Sequence, residues 1–219
     1  MKLSRNVVFS KFVVVVLSIS LFVGLVSLLN VVNATNVVTL ASVPDVAVGS
    51  ETELLNAVRA APDNTEYVIG LKNNVVLENT LEIPSGKNIT LVSVDGFWTL
   101  SGKTCGCVIS VAGVLTLDGV DVTYVWPEDG ILKACVVGVN SGGTFILSKG
   151  KISKGAIDGK GGGVVNYGLF IMLGGEISDN HAITVGGVFN GGNFTMLGGK
   201  ISNNGGGVYN FGNFTMLGG

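Results

Sequence analysis

Three stretches near the end of the chain decide its fold: GGGVVNYGLFIMLGGEISDN from Gly161, GGVFNGGNFTMLGGKISNN from Gly186 and GGGVYNFGNFTMLGG from Gly205. With Phe145, Phe170, Phe194 and Phe214 taken as one recurring anchor, the steps along the chain are 25, 24 and 20. Working backwards, Leu115 precedes Phe145 by a step of 30, and Ile89 precedes Leu115 by one of 26. One unit, its period varying between 20 and 30, thus runs through six copies. Each copy holds three short β-prone runs divided by turn residues, as in GVYN, NFTML and KISNN. Alternation along NFTM sets Phe214 and Met216 on one face and Thr215 on the other.

No single unit can bury these side chains alone. Stacked in parallel at about 4.8 Å per coil, the units make one continuous apolar core. Leucine-rich horseshoes share the period, but their L-x-x-L-x-L frame is missing, and propeller blades need roughly 40 residues. The expected fold is all-β, a right-handed parallel β-helix of six or so coils over residues 66–219. Glycine usage agrees: 24 of the 34 glycines follow Val137, among plentiful valine, isoleucine, leucine and phenylalanine. That pattern means frequent tight turns rather than disorder.

A β-helix must cover its exposed end, because an open rung templates aggregation. Ser50-Glu51-Thr52-Glu53 reads as a capping box, and Leu54, Leu55, Val58 and Ala61 form an apolar stripe that Pro62 terminates. Residues 50–65 are therefore expected to form a capping helix laid over the first coil, after a linker at 35–49. Strands are expected next at Tyr67–Leu71, Val75–Leu77 and Thr80–Ile83. At the other end the chain stops at Gly219, which aligns with Gly199 in mid-coil. Truncation is expected there, with the first partner of this end being a further part of the same protein.

Residues 1–34 read as a targeting segment. Lys2, Arg5 and Lys11 precede an uncharged run from Phe12 to Leu29, and Val32-Asn33-Ala34 suits a signal-peptidase site. The run is just long enough to cross a bilayer as a helix, so an uncleaved membrane anchor is the alternative. Export to the cell surface or beyond follows on either reading. Residues 35–219 carry ten basic side chains against fifteen acidic ones. Such a balance excludes nucleic acid and anionic lipid as partners and leaves the membrane in contact only through the N-terminal segment.

The stretch ETELLNAVRAAPDNTEYVIGLKNNVVLENTLEIPSGKNITLVS, from Glu51 to Ser93, followed by GGGVYN-type coils, resembles the pectin-lyase-like β-helix proteins secreted by prokaryotes. Many of those are adhesin-like or of the polymorphic outer-surface type. The resemblance covers residues 50–219 and implies a fold, not an activity.

Aligned coils produce columns. Asp121, Lys151, Glu176 and Lys200 each precede an inward apolar residue, so charge alternates up one face and helps to fix register. Asn140, Asn166, Asn190 and Asn210 form a second column, read as a structural ladder at the turn, since asparagine accepts left-handed angles and bonds its stacked copies. The step from Leu115 to Phe145 also sets Cys105 beneath Cys135, which predicts a disulfide between them in an exported protein. No zinc site or other cofactor is implied: three cysteines and a single distant histidine, His181, supply no fourth ligand.

Chemistry in this fold class is tested by its reactive groups. A lyase needs a strong base beside the sugar, yet Arg59, on the expected helix, is the sole arginine after residue 34. A glycoside hydrolase needs two carboxylates about 5–9.5 Å apart. Asp118 with Asp121, or Asp158 with Asp179, are the pairs available, and all four read more simply as solvated turn acids. Four Asn-x-Thr sequons occur, two of them (Asn193 and Asn213) products of the repeat itself. Insertions are the better place for recognition. The loop at Val125–Leu132 supplies Trp126, Glu128 and Asp129 as candidate contacts to glycans or other surface proteins, Trp126 by stacking on a sugar or by packing over the coil. The sequence thus points to an extracellular structural or adhesive module, with a polysaccharide-active enzyme or its binding part as the alternative.

Overall fold

The computed structural model describes residues 43–103, 105–126 and 133–219. The expectations for the targeting segment, and for Glu128 and Asp129, fall outside these residues. Within them the chain winds as an all-β parallel solenoid of about six coils, with one short helix near its start.

Three sheets form the walls. The first stacks Val46–Val48, Glu66–Leu71, Asn88–Ser93, Val114–Asp118, Thr144–Lys149, Leu169–Met172, Asn193–Met196 and Asn213–Met216. The second stacks Leu81–Ile83, Gly106–Val111, Lys133–Val139, Val164–Asn166, Val188–Asn190 and Val208–Asn210. The third stacks Val75–Leu77, Thr99–Gly102, Asp121–Tyr124, Lys151–Ser153, Glu176–Ser178 and Lys200–Ser202. Pairing along each stack is parallel throughout. Among the described strands one antiparallel pair stands apart, where Ala156–Ile157 folds back on Lys133–Val139.

The core follows from the repeat. Ile89, Leu115, Phe145, Phe170, Phe194 and Phe214 lie in direct register up the first sheet, as the spacing predicts. Ile69, Leu91, Leu117, Leu147, Met172, Met196 and Met216 form the parallel column two residues on. The four rings stack face to face, with centroids 5.1, 4.5 and 4.8 Å apart and planes within 20°. Such a pair adds about 0.5–1.5 kcal/mol beyond the burial of its area.

The glycine repeat has a steric cause at one corner. Gly143, Gly168, Gly192 and Gly212 carry the chain from the second sheet to the first. A Cβ on any of them would collide with a carbonyl oxygen one coil below, that of Val111, Gly143, Gly168 or Gly192 respectively. Coils stacked at ladder distance leave no room for a side chain there.

The N-terminal end departs in part from expectation. The helix spans Glu51–Ala60, shorter than 50–65, and Val46–Val48, inside the stretch expected as linker, already pairs with Glu66–Leu71. Ser50 accepts a hydrogen bond from the Glu53 N–H at 3.3 Å, while the Glu53 carboxylate accepts from the Gly49 N–H at 2.7 Å. This is the expected capping box moved one donor outward. Leu54, Ala57, Val58 and Ala61 are buried in the common core, so the helix seals the first coil.

Among the coils that follow Phe145, variation in length is confined to the corner between the third and second sheets. Ten residues separate Ser153 from Val164, nine separate Ser178 from Val188, and five separate Ser202 from Val208. These spans alone account for the steps of 25, 24 and 20. The other corners of those coils keep a fixed length.

Candidate functional site

Two surface concavities flank this variable corner. The larger, about 800 Å³, runs over the outer face of the third sheet. Its floor includes Thr99, Ser101 and Thr123, and its wall is built by Trp126, Lys154, Asp179 and His181. Trp126 is held in place: its indole N–H donates to the Lys154 carbonyl at 2.7 Å, and its ring meets His181 edge-on at 6.2 Å. The ring is nonetheless 49% exposed. Trp126 is thus packed along one edge and open along the rest. His181 belongs to this wall through the short strand His181–Ala182, paired with Ala156–Ile157.

Ser101 and Thr123 of the floor belong to a hydroxyl column that continues beyond the groove. Ser101, Thr123, Ser153, Ser178 and Ser202 lie in register up the third sheet. Two of these hydroxyls, Thr123 Oγ1 and Ser202 Oγ, are buried without a hydrogen-bond partner among the described residues. Beside the column run Asp121, Lys151, Glu176 and Lys200, in the register the sequence predicts. The bonds of Asp121 and Lys151 run to the backbone and to a residue outside the column. The Asp121 carboxylate accepts the Lys151 backbone N–H at 2.8 Å, and Lys151 Nζ reaches Asp179 at 2.7 Å.

The hydrogen bond from Lys151, seconded by one from the Ser178 hydroxyl, holds the Asp179 carboxyl below the ordinary carboxylate range. The same bond to Asp179, together with the nearby charges of Asp179, Glu176 and Asp121, raises Lys151 against the opposing effect of burial. A depressed carboxylate contributes stability at neutral pH that is lost as pH falls through its folded value. A raised lysine contributes stability that is lost only as pH climbs past its ordinary value. The difference in thermal midpoint between the protein and its Asp179→Asn variant is therefore expected to persist at neutral pH. It should begin to close as pH falls below about 4 and again as pH rises above about 10.5. Asp179 sits at φ +60°, a geometry asparagine also accepts, so the comparison isolates charge.

The cysteines pair otherwise than expected. Cys135 lies opposite Cys107, not Cys105, and is bonded to it, with Cα atoms 4.5 Å apart. The step of 30 in the first sheet becomes 28 in the second, because the turn 140–143 is two residues longer than the turn 112–113. Cys105 is exposed and stands outside the bond. The same long turn shifts the asparagine column. Val139, not Asn140, is the partner of Asn166, and Asn140 donates instead to the Ser110 hydroxyl at 3.3 Å.

The remaining asparagines form an interior ladder rather than a turn ladder. Asn166, Asn190 and Asn210 continue the column of Ile83, Val111 and Val139, and the first two are fully buried. Asn166 Nδ2 donates to Asn190 Oδ1 at 2.7 Å, and Asn190 Nδ2 to Asn210 Oδ1 at 2.6 Å. Backbone carbonyls of Asn193 and Asn213 take further donations. Left-handed angles belong instead to Lys154, Asp179 and Asn203, at the end of the third sheet. A second, partly buried ladder follows them, from Asn180 to Asn204 at 3.0 Å, with Asn180 also donating to Ile152 and Ser178 carbonyls. The repeated ISDN and ISNN carried that signal in the sequence.

The second concavity, about 400 Å³, lies on the outer side of the second sheet. It includes the Cys107–Cys135 disulfide, Val165, Tyr167, Ile157 and Lys160. Above it the outward residues Phe189 and Tyr209 and the turn residues Tyr167 and Phe211 form an aromatic cluster, with centroids 5.0–6.1 Å apart.

Three of the four acids weighed for hydrolysis are engaged with structural partners. Asp118 pairs with Lys149 at 3.1 Å, Asp121 holds the Lys151 backbone, Asp179 pairs with Lys151, and Asp158 lies in the insertion after Ile157. Arg59 is exposed on the capping helix. No family model matches the chain, and neither a curated protein nor a solved structure matches it.

Proposed function

We propose that this chain is an exported, pectin-lyase-like β-helix of the cell surface, serving as a rigid adhesive module that takes glycan in the groove beside Trp126. The observation that carries this reading is the half-exposed indole, fixed by its own hydrogen bond at the end of a hydroxyl-lined groove. A fixed ring offers its face to the apolar side of a sugar at low entropic cost, and the neighbouring hydroxyls suit the sugar's polar rim. Export is supported by the basic and apolar start of the sequence and by the disulfide. The engagement of the carboxylates favours adhesion over the enzymatic alternative, since Asp118 and Asp121 flank a turn and each serves a structural partner.

Binding to an array of neutral and acidic polysaccharides, followed by calorimetry on the best ligand, tests the proposal. Trp126→Ala is expected to weaken that ligand about 30-fold, the effect of losing a central aromatic anchor. Unchanged affinity would remove the groove from consideration. Release of reducing ends or unsaturated products, abolished by Asp118→Asn or Asp121→Asn, would replace adhesion with catalysis.

A further inference from the structure

We infer a second ligand site, independent of the Trp126 groove, that takes a small apolar ring bearing a carboxylate. It is the concavity on the second sheet, floored by the Cys107–Cys135 disulfide. The hollow exists because Gly138, lying between Ser110 and Val165 in register, has no side chain. A Cβ there would come within 2.9 Å of Cys107 Sγ. Disulfide sulfur, Val165, Ile157 and the Tyr167 ring give it apolar walls. Its volume of about 400 Å³ is that of a small-molecule pocket.

The charge of the ligand follows from what lines the mouth. Lys160 is the single charged side chain among the described residues that line it, although residues 35–219 are acidic overall. Its ammonium lies 4.9 Å from the Phe189 ring centre and 5.8 Å from that of Phe211, so ring faces position the cation. An anion is thus favoured at the rim and an apolar body below it. A sugar acid fits worse. Asn140 and Lys160 are the main polar side chains available, and most sugar hydroxyls would lose water without a replacement bond.

The test uses 3-phenylpropionate as probe, its uncharged amide, and glucuronate, each followed by saturation-transfer NMR and titration on the full chain. The expected order is phenylpropionate first, the amide about fivefold weaker, and glucuronate weakest, with added salt reducing the gap between the first two. Lys160→Ala should erase the preference for acid over amide. Tyr167→Ala should weaken acid and amide together. Both residues are exposed, so folding is not at stake, and matching thermal midpoints will verify it. Trp126→Ala should leave phenylpropionate binding unchanged, which separates this site from the glycan groove. The inference is overturned by the absence of transfer at millimolar probe, by tighter binding of glucuronate, by indifference to both Lys160→Ala and Tyr167→Ala, or by loss of the signal in Trp126→Ala.

Discussion

Replacing Phe170 with alanine is expected to lower stability by about 3–5 kcal/mol, the range for deleting a fully buried ring from a core that cannot collapse around the gap. Phe170 has no exposed surface and stacks on two rings at once, Phe145 below and Phe194 above. In a solenoid each coil rests on its neighbours, so the loss falls on three coils rather than one. Phe214 provides the internal comparison, being 37% exposed with a single stacked ring. Phe214→Ala should cost roughly half as much or less. Equilibrium urea unfolding of the two variants gives the ratio. Amide exchange in Thr144–Lys149 and Asn193–Met196 should accelerate for Phe170→Ala. Equal penalties would mean that the rings do not act as one stack.

Asn190→Asp is the second large effect. Asn190 is fully buried, and its Nδ2 donates to the Asn210 side chain and to the Gly192 and Asn213 carbonyls. A carboxylate keeps the shape but faces those three acceptors with no proton to give. An uncompensated buried charge of this kind costs about 3–5 kcal/mol. Protonation restores one donor, so the folded pKa of the new acid should lie above its unfolded value of about 3.9. The penalty is then full above the raised pKa and shrinks as pH falls towards the unfolded value. Unfolding midpoints of wild type and variant should converge as pH drops from 8 to 4. Parallel curves over that range would place the side chain in solvent.

What could be read beforehand was whatever the period itself encodes. The steps between Phe145, Phe170, Phe194 and Phe214 give parallel pairing, inward direction and register of the first sheet without ambiguity, because one anchor fixes a whole strand. The third sheet followed, since three residues always separate Met172 from Glu176 and Met196 from Lys200. The second sheet was misplaced in its middle coils. Two extra residues in turn 140–143 moved Cys135 onto Cys107 and Asn140 out of the ladder, and a single anchor carries no record of how a long coil divides its surplus. The direction of Asn166 and Asn190 was hidden for another reason. Asparagine favours turns by itself, and only the aliphatic residues Ile83, Val111 and Val139 below it show that the column points inward. Once it points inward, Phe189 and Tyr209 must point out, which is why the aromatic cluster beside Lys160 also went unread.

All the length differences among the last coils are absorbed at the corner between Ser153 and Val164 and its counterparts, and both concavities border it. Loops there can be lengthened, trimmed or exchanged without disturbing the rungs that carry them. The molecule therefore separates two kinds of change. Substitutions on the inner columns trade away cohesion, whereas one rewritable edge lets the surface around both concavities change at little structural expense.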